Sequence, residues 1–290
     1  MLLFNKLFNK ACDWSLLGKR FLHRTLYAPM MILVKLGGSV LTDKNKPNVV
    51  RRRVLNRLVK EIKRTEEDVI VVHGVGSFGH VYAKQYKLNQ GYVAPEQRNG
   101  FALTHKTVRL LNNIVLESLI DAGVPAVSLP PVSFMELNNG KKKYCNMSWF
   151  KKTLTAGLVP VTFGDVVFDA KLGFSICSGD LLMVVLAEEF TPKRAVFVID
   201  EDGIYSANPK VEKTAKLLQK LSSEDLSKIM TKADAHADVT GGMKGKIESI
   251  REIADMGTEV WVVNGNKRER TYRALSGKKT VATIISGERV

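Results

Sequence analysis

The chain has 290 residues with a formal net charge of +15, and 45% of its residues are hydrophobic. These proportions are typical of a globular protein, and no apolar run reaches the roughly 18 residues that cross a bilayer, so we expect no stable membrane insertion. Three scattered cysteines favour neither a disulfide framework nor a zinc site, and they are typical of a cytoplasmic protein. The basic charge indicates either nucleic-acid binding or an enzyme that acts on small polyanions.

Residues 1–30 differ in pattern from the rest of the chain. They contain five lysines and arginines against one acidic residue, and their apolar residues come in pairs and triplets. This basic amphipathic pattern is typical of a segment on a membrane surface or of a transit peptide. Translation from Met30 or Met31, or a poorly ordered extension, is the alternative interpretation. We predict that the main domain comprises residues 31–290.

Beyond Met31, strand-like and helix-like segments alternate. Strands are predicted at 32–36, 69–72, 124–129, 158–163, 166–169, 194–199 and 259–263, with a hairpin turn at 139–140. Helices are predicted at 54–64, 80–86, 101–122, 148–155, 181–189 and 244–256. The alternation predicts an α/β fold with a mainly parallel sheet and helices on both faces. Ligands bind beyond the carboxyl ends of the strands in such sheets.

The first motif that indicates a binding or catalytic role is Lys35-Leu36-Gly37-Gly38-Ser39, at the end of the first strand. A lysine at the end of a buried strand is costly unless it meets an anion. The two glycines allow the backbone to approach that anion closely. The spacing is not that of a Walker loop. Lys44 is either a second cation for the same space, if the loop folds back, or an exposed loop lysine.

The second motif is the segment His73-Gly74-Val75-Gly76-Ser77-Phe78-Gly79-His80, which follows the second strand. Its glycines let backbone N–H groups approach an oxyanion, and a helix that begins here adds positive potential. A histidine that opens this helix donates a hydrogen bond to a phosphate group. The segment therefore predicts a phosphoryl group held beside His80, whereas His73 is predicted to be a buried structural histidine.

Two further motifs place a carboxylate after a glycine, namely Gly164-Asp165 and Ser178-Gly179-Asp180. Asp180 begins a predicted helix, so one interpretation makes it the N-cap. The other interpretation makes it a carboxylate that orients lysines or holds a metal ion bound to nucleotide phosphates.

The last two motifs lie in the C-terminal third of the chain. Asp200–Tyr205 follows a strand and is a candidate nucleotide edge. Asp238–Lys246 places glycines before a helix, with Lys244 and Lys246 in its first turns. Cations at that end of a helix oppose the helix dipole. The conflict is relieved if an anion binds between them, as expected of a functional site.

Together these motifs resemble the amino acid kinase superfamily and, within it, the isopentenyl phosphate kinase family, over about residues 31–287. The segment His73–His80, supported by Gly164–Val166, carries the narrower resemblance. The resemblance implies an open αβα sandwich with an acceptor-binding lobe at 31–190 and a nucleotide-binding lobe at 191–290. It also implies a homodimer that uses ATP and Mg²⁺ to phosphorylate isopentenyl phosphate in the alternative mevalonate pathway of isoprenoid biosynthesis.

The resemblance also implies a role for individual residues. His80 would bind the acceptor's phosphate, while the two lysines of the first motif region neutralise the transferring group. The catalytic residues are Lys35, Lys44, His80 and Asp180. The nucleotide-binding residues are Lys35, Gly37, Gly38, Ser39, Gly76, Asp200, Tyr205, Gly242 and Lys246. The acceptor-binding residues are Val75, Gly76, His80 and Gly164. No residue is implied as a ligand of a protein-bound metal ion.

Two residues depart from the family pattern. Val75 stands where relatives usually have glycine, and Ile199 stands where they usually have threonine, so contacts with acceptor and nucleotide are altered there. Two alternative functions remain. One is phosphorylation of another small phosphate or phosphonate such as fosfomycin, and the other is non-catalytic binding of nucleic acid by a basic surface.

Overall fold

The computed structural model describes residues 31–235 and 241–287. Its strands are β1 (Ile32–Leu36), β2 (Val69–His73), β3 (Ala126–Ser128), β4 (Met135–Asn138), β5 (Lys141–Cys145), β6 (Val159–Phe163), β7 (Asp165–Asp169), β8 (Gly173–Cys177), β9 (Arg194–Ile199), β10 (Lys220–Leu221), β11 (Glu259–Asn264) and β12 (Thr283–Ile285). Its α-helices are α1 (Gly38–Leu41), α2 (Arg52–Lys63), α3 (Gly76–Gln85), α4 (Gln97–Asp121), α5 (Ser148–Thr155), α6 (Gly179–Phe190), α7 (Ser223–Ala235), α8 (Gly241–Asp255) and α9 (Arg270–Leu275).

The central sheet has eight strands in the order β10-β12-β11-β9-β1-β2-β6-β3. Its pairings are parallel except that of β11 with β12. Successive residues of a strand point to opposite faces, so Leu33 and Val34 of β1 belong to different hydrophobic clusters. Helices α6 and α8 contribute to the first cluster, and α2 and α4 to the second. The predicted α/β fold with a mainly parallel sheet is confirmed.

The central strands are near-continuous apolar runs because helices cover both faces of the sheet. All residues of β1, β2 and β9 are buried. The polar exceptions near the carboxyl ends of β1 and β2 are Lys35 and His73. The strand pattern therefore places these two unusual side chains at the edge where ligands bind in parallel sheets.

A smaller sheet, in the order β5-β4-β7-β8, lies beside the first part of α4. Phe101 of α4 stacks on Phe168 of β7 with 5.6 Å between ring centroids. The predicted hairpin turn joins β4 and β5, and both of its residues, Asn139 and Gly140, have positive φ. The Asp169 carboxylate accepts their N–H groups at 2.9 and 2.7 Å. This contact ties the hairpin to β7.

The start of α3 differs from the prediction. The helix begins at Gly76, so His80 lies in its second turn and does not open it. Two glycines in the first turn weaken the helical signal of the sequence, because glycine is a poor helix former. The first turn gains a contact that the pattern does not contain, since Ser77 donates its N–H to Thr42 Oγ1 at 3.1 Å.

The start of α4 also lies earlier than predicted, at Gln97 instead of Phe101. The Gln97 side chain accepts the N–H groups of Val93 and Ala94 at 2.7 and 2.9 Å, and this contact orders the segment before the helix. Several short or weakly periodic elements were not predicted; these are α1, α7, α9, β8, β10 and β12. Within the two described ranges, no helix has the length and apolar content needed to cross a membrane.

Candidate active site

The glycine turns that follow β1 and β2 are in direct contact. A Cβ atom added to Gly38 would lie 2.3 Å from the Gly76 nitrogen, so a larger residue does not fit there. Gly76 also has a φ of +47°, which disfavours residues with a side chain. The Thr42 hydroxyl bridges the turns, since it donates to the Gly38 carbonyl at 2.8 Å and accepts the Ser77 N–H. The first N–H groups of α1 and α3, which lack intrahelical acceptors, therefore lie close together.

A buried lysine–aspartate group lies beside these turns. Lys35 is 5% exposed, and its Nζ is 2.5 Å from Asp180 Oδ1. Lys246 of α8 approaches the same oxygen at 3.5 Å. Burial lowers the pKa of Lys35 to about 8, and the charge of Lys246 acts in the same direction. Burial alone would raise the pKa of Asp180, but the two lysines hold it below its ordinary value. Two cations share one carboxylate, which favours binding of an anion.

The structure decides between the two interpretations of Asp180. The N-cap of α6 is Ser178, whose Oγ accepts the Leu181 N–H at 3.1 Å. Asp180 is the second residue of the helix, and its carboxylate is directed to Lys35 and Lys246. Asp180 therefore contacts two lysines, and the N-cap interpretation is wrong.

The loop after α1 folds back onto the end of β9. Asp200 accepts a hydrogen bond from Ser39 Oγ at 2.8 Å and from Lys44 Nζ at 2.7 Å. Burial would raise the pKa of Asp200, but these two contacts hold it below its ordinary value. Lys44 remains 55% exposed. The ammonium group of Lys44 therefore contacts Asp200 from the protein surface.

Asp202 joins the same acidic turn to the end of β11. Its Oδ1 accepts Asn264 Nδ2 at 2.7 Å and Arg270 Nη1 at 2.6 Å. Burial would raise the pKa of Asp202, but Asn264 and Arg270 hold it below its ordinary value. The turn that carries Asp200 is thus anchored at both Asp200 and Asp202.

A cavity of about 350 Å³ opens where these elements meet. Its polar lining includes the lysine–aspartate group and both glycine turns. His80 lies at its edge, and partial burial lowers the pKa of this histidine below its ordinary value. Apolar or small side chains complete the lining, namely Ala83, Thr104, Val108, Val166 and Ile176. The cavity therefore combines an anion-binding part with a hydrocarbon-lined part.

Gly164 has no side chain, so its backbone lines the cavity. Its N–H is donated to the His73 carbonyl at 3.1 Å. The His73 ring is buried, with Nδ1 3.2 Å from the Gly74 carbonyl and Nε2 3.2 Å from Asn112 Nδ2. Burial lowers the pKa of His73 to about 4, so the ring is neutral at neutral pH. The prediction that His73 is buried is confirmed.

Asp165, next to Gly164, forms a second buried polar pair. Its Oδ2 lies 2.8 Å from His105 Nδ1, and its side chain is fully buried while lining the cavity. Burial raises the pKa of Asp165 above its ordinary value, although His105 opposes the shift. The pair links α4 to β7 next to Gly164.

The cavity brings together most residues with implied roles: Lys35, Gly37, Gly38, Ser39, Val75, Gly76, His80, Gly164, Asp180, Asp200 and Lys246. Lys44 and Tyr205 do not line it, and Tyr205 forms a backbone bridge with Leu217. Gly242 lies in the first turn of α8. Residues 238–240 of the last motif fall outside the described residues.

Two site residues were not recognised in the sequence. Thr42 follows the first glycine turn by one helical turn, which is a weak local signal for a hydroxyl that contacts that turn. His105 is a single histidine within a long helix, and nothing in the neighbouring sequence indicates its carboxylate partner.

An α/β fold with touching glycine turns and converging lysines at the strand ends, without a Walker loop, is typical of a small-molecule kinase. The model of the amino acid kinase family matches residues 30–264, and the chain belongs to this family. The chain is 37% identical to the isopentenyl phosphate kinase of Methanothermobacter thermautotrophicus, over 89% of this chain and 100% of that protein. It is 33% identical to the isopentenyl phosphate kinase of Arabidopsis thaliana, over 72% of this chain and 67% of that protein.

Solved structures show the same similarity. An isopentenyl phosphate kinase crystal structure superposes with a TM-score of 0.78 at 34% identity, covering 88% of this chain and all of that chain. A substrate complex of an isopentenyl phosphate kinase superposes with a TM-score of 0.75 at 31% identity, covering 89% of this chain and 99% of that chain. The resemblance to the isopentenyl phosphate kinases is confirmed.

Proposed function

We propose that this chain is an ATP-dependent phosphotransferase that converts isopentenyl phosphate to isopentenyl diphosphate. The observation that carries the proposal is a single cavity lined by His80, by touching glycine turns and by the Lys35–Asp180–Lys246 group. A phosphate oxygen of the acceptor bonds to the γ-phosphorus of ATP, and the bond from that phosphorus to ADP breaks. Because the acceptor phosphate is already a nucleophile, catalysis needs positioning and charge neutralisation more than a general base.

The acceptor's two parts match the two kinds of lining. His80 donates a hydrogen bond to the phosphate, and its lowered pKa favours the neutral ring in the free protein. The branched hydrocarbon chain lies against the apolar residues, which include Val108 of α4 and Ile176 of β8. This division supports an amphipathic phosphate monoester over a polar acceptor such as an amino acid.

The nucleotide phosphates bind on the side of β1 and β9. The backbone of the two glycine turns faces the phosphates, and Lys35 and Lys246 neutralise them. Asp180 orients both lysines, while Asp200 orders Ser39 and Lys44. Tyr205 and Gly242 serve the remainder of the nucleotide, as the family resemblance implies.

Mg²⁺ fits this site as a companion of the ATP phosphates. Among residues 31–235 and 241–287, no three histidine, cysteine or acidic side chains are grouped to hold a metal ion. Mg²⁺ is commonly held by substrate phosphates together with one or two carboxylates and water. Asp180 and Asp200, which line the cavity beside the glycine turns, would be the carboxylates available to the ion. The ion would neutralise charge on the phosphates.

A coupled ATP-turnover assay with isopentenyl phosphate, dimethylallyl phosphate and fosfomycin tests the proposal. We expect turnover of isopentenyl phosphate, with formation of its diphosphate detected by mass spectrometry. Turnover of fosfomycin alone would instead assign the chain to the phosphonate alternative. Absence of turnover with all three acceptors, together with tight binding of nucleic acid, would favour the non-catalytic alternative.

Broader assignments belong to the same proposal. The acceptor-binding lobe comprises residues 31–190, and the nucleotide-binding lobe comprises residues 191–290. The protein is a cytoplasmic homodimer that needs no nucleic acid. Light scattering after size-exclusion chromatography measures the oligomeric state, and a monomer at assay concentrations would contradict the homodimer.

A further inference from the structure

Val75 has its side chain wedged between two glycines. A Cβ atom added to Gly79 would lie 2.6 Å from Val75 Cγ2, and one added to Gly164 would lie 3.1 Å from Val75 Cγ1. Both distances are tighter than ordinary van der Waals contact. The isopropyl group therefore already fills the space between α3 and the start of β7. All three residues line the cavity.

The position of this wedge relates it to the acceptor's phosphate. Val75 immediately precedes Gly76, and Gly79 immediately precedes His80, so the wedge adjoins two residues assigned to phosphate binding. Val108 of α4 is close to the same face of Gly79, because the added Cβ atom would also lie 3.1 Å from Val108 Cγ1. An apolar wall therefore begins directly beside the phosphate-binding residues.

We propose that Val75 is a specificity-determining residue that restricts the acceptor to an unbranched CH₂ group at the carbon bonded to the phosphate ester oxygen. The inference rests on the proposed function, because it takes His80 and Gly76 as the residues that hold the acceptor's phosphate. A closely packed wall has no space for an added methyl group. One methyl group in an apolar pocket changes selectivity by about tenfold to two-hundredfold.

The test compares isopentenyl phosphate with its analogue that carries one methyl group on the carbon bonded to the ester oxygen. We expect the unmodified chain to prefer isopentenyl phosphate by at least about tenfold in kcat/KM. Val75→Gly and Val75→Ala should lower this preference by about tenfold, mainly through increased use of the branched acceptor. Ile176→Ala is the matched control, since Ile176 also lines the cavity but pairs with Val166 in the β7–β8 hairpin.

Ile176→Ala should change the use of both acceptors in parallel. An active Val75 variant with an unchanged preference would overturn the inference, as would an equal change of preference in Ile176→Ala. Circular dichroism checks folding, and Val75→Ala, which keeps Cβ, is the milder variant. Loss of folding or of all activity in both Val75 variants would make Val75 a structural residue and also overturn the inference. If the unmodified chain does not use isopentenyl phosphate, the proposed function fails first.

Discussion

Lys35 Nζ lies 2.5 Å from Asp180 Oδ1, and this contact joins the centre of the main sheet to the start of α6. A buried ion pair contributes little net stability, because desolvation of both charges offsets their attraction. Lys246 adds a second positive charge to the same carboxylate oxygen. The lysine–aspartate group is therefore better explained by anion binding than by a contribution to stability. We expect its charges to have the largest effect on catalysis.

Lys35→Met should lower kcat by about 100-fold to 1000-fold, because its charge is needed most where negative charge develops in the transition state. The KM for the acceptor should change much less. Steady-state kinetics with both substrates measures the two effects. Lys193→Met is the control, since Lys193 pairs with Glu67 on the surface and should leave kcat nearly unchanged. A larger change in acceptor KM than in kcat would contradict the assigned role.

Lys35 should also produce an alkaline limit on activity. Its pKa of about 8 means that the lysine loses its proton as the pH rises through about 8, so kcat/KM for ATP should fall there. The contribution of Lys35 to folding stability changes with pH in the opposite direction from the activity. Between about pH 8 and 10.5, the ordinary pKa of lysine, the unfolded chain binds more protons, so this group's contribution to stability rises with pH.

Lys35→Arg is the appropriate control for the pH dependence, because arginine stays protonated throughout this range. Its lower activity should lack the limb near pH 8. Denaturant unfolding of the unmodified chain and of Lys35→Met, measured from pH 7 to 10, checks the stability contribution. The same alkaline limb in Lys35→Arg would assign the titration to another group.

His80→Ala should lower kcat/KM for isopentenyl phosphate by about tenfold to a hundredfold, since it removes a hydrogen bond to a charged group. ATP binding, measured by calorimetry in the absence of acceptor, should remain largely intact. His80→Asn keeps a donor and should retain part of the activity. Equal losses in acceptor use and ATP binding would show that His80 supports the structure of α3.

Thr42→Val should weaken ATP binding several-fold and lower the free energy of unfolding by about 1–3 kcal/mol, because it leaves the Ser77 N–H without its acceptor. The side chain of Thr42 is 1% exposed, so water does not readily replace the hydroxyl. Thr42→Ser keeps the hydroxyl and should behave almost as the unmodified chain does. An unchanged ATP affinity in Thr42→Val would show that the bridge between the two glycine turns does not contribute to ATP binding.

Local patterns in the sequence predicted the central strands, and together with the family resemblance they indicated eleven of the residues that line the cavity. They were less successful at helix starts. The glycines of α3 concealed its first turn, and α4 begins earlier because Gln97 orders the preceding backbone. Short elements such as α9 and β12 lack enough residues to show a period. For α3, the contact of Ser77 with Thr42 comes from outside the segment, so no local pattern contains it.

The sequence by itself determined which strands are buried and which charged residues and glycines stand at their carboxyl ends, because burial and backbone freedom are local properties. Only the tertiary structure decided which of these residues meet. The Lys44–Asp200 contact spans 156 positions and His105–Asp165 spans 60, so both depend on the order of strands in the sheets. The same holds for the Thr42 bridge and the Val75 wedge, which require neighbouring strand ends to bring separate backbones into contact.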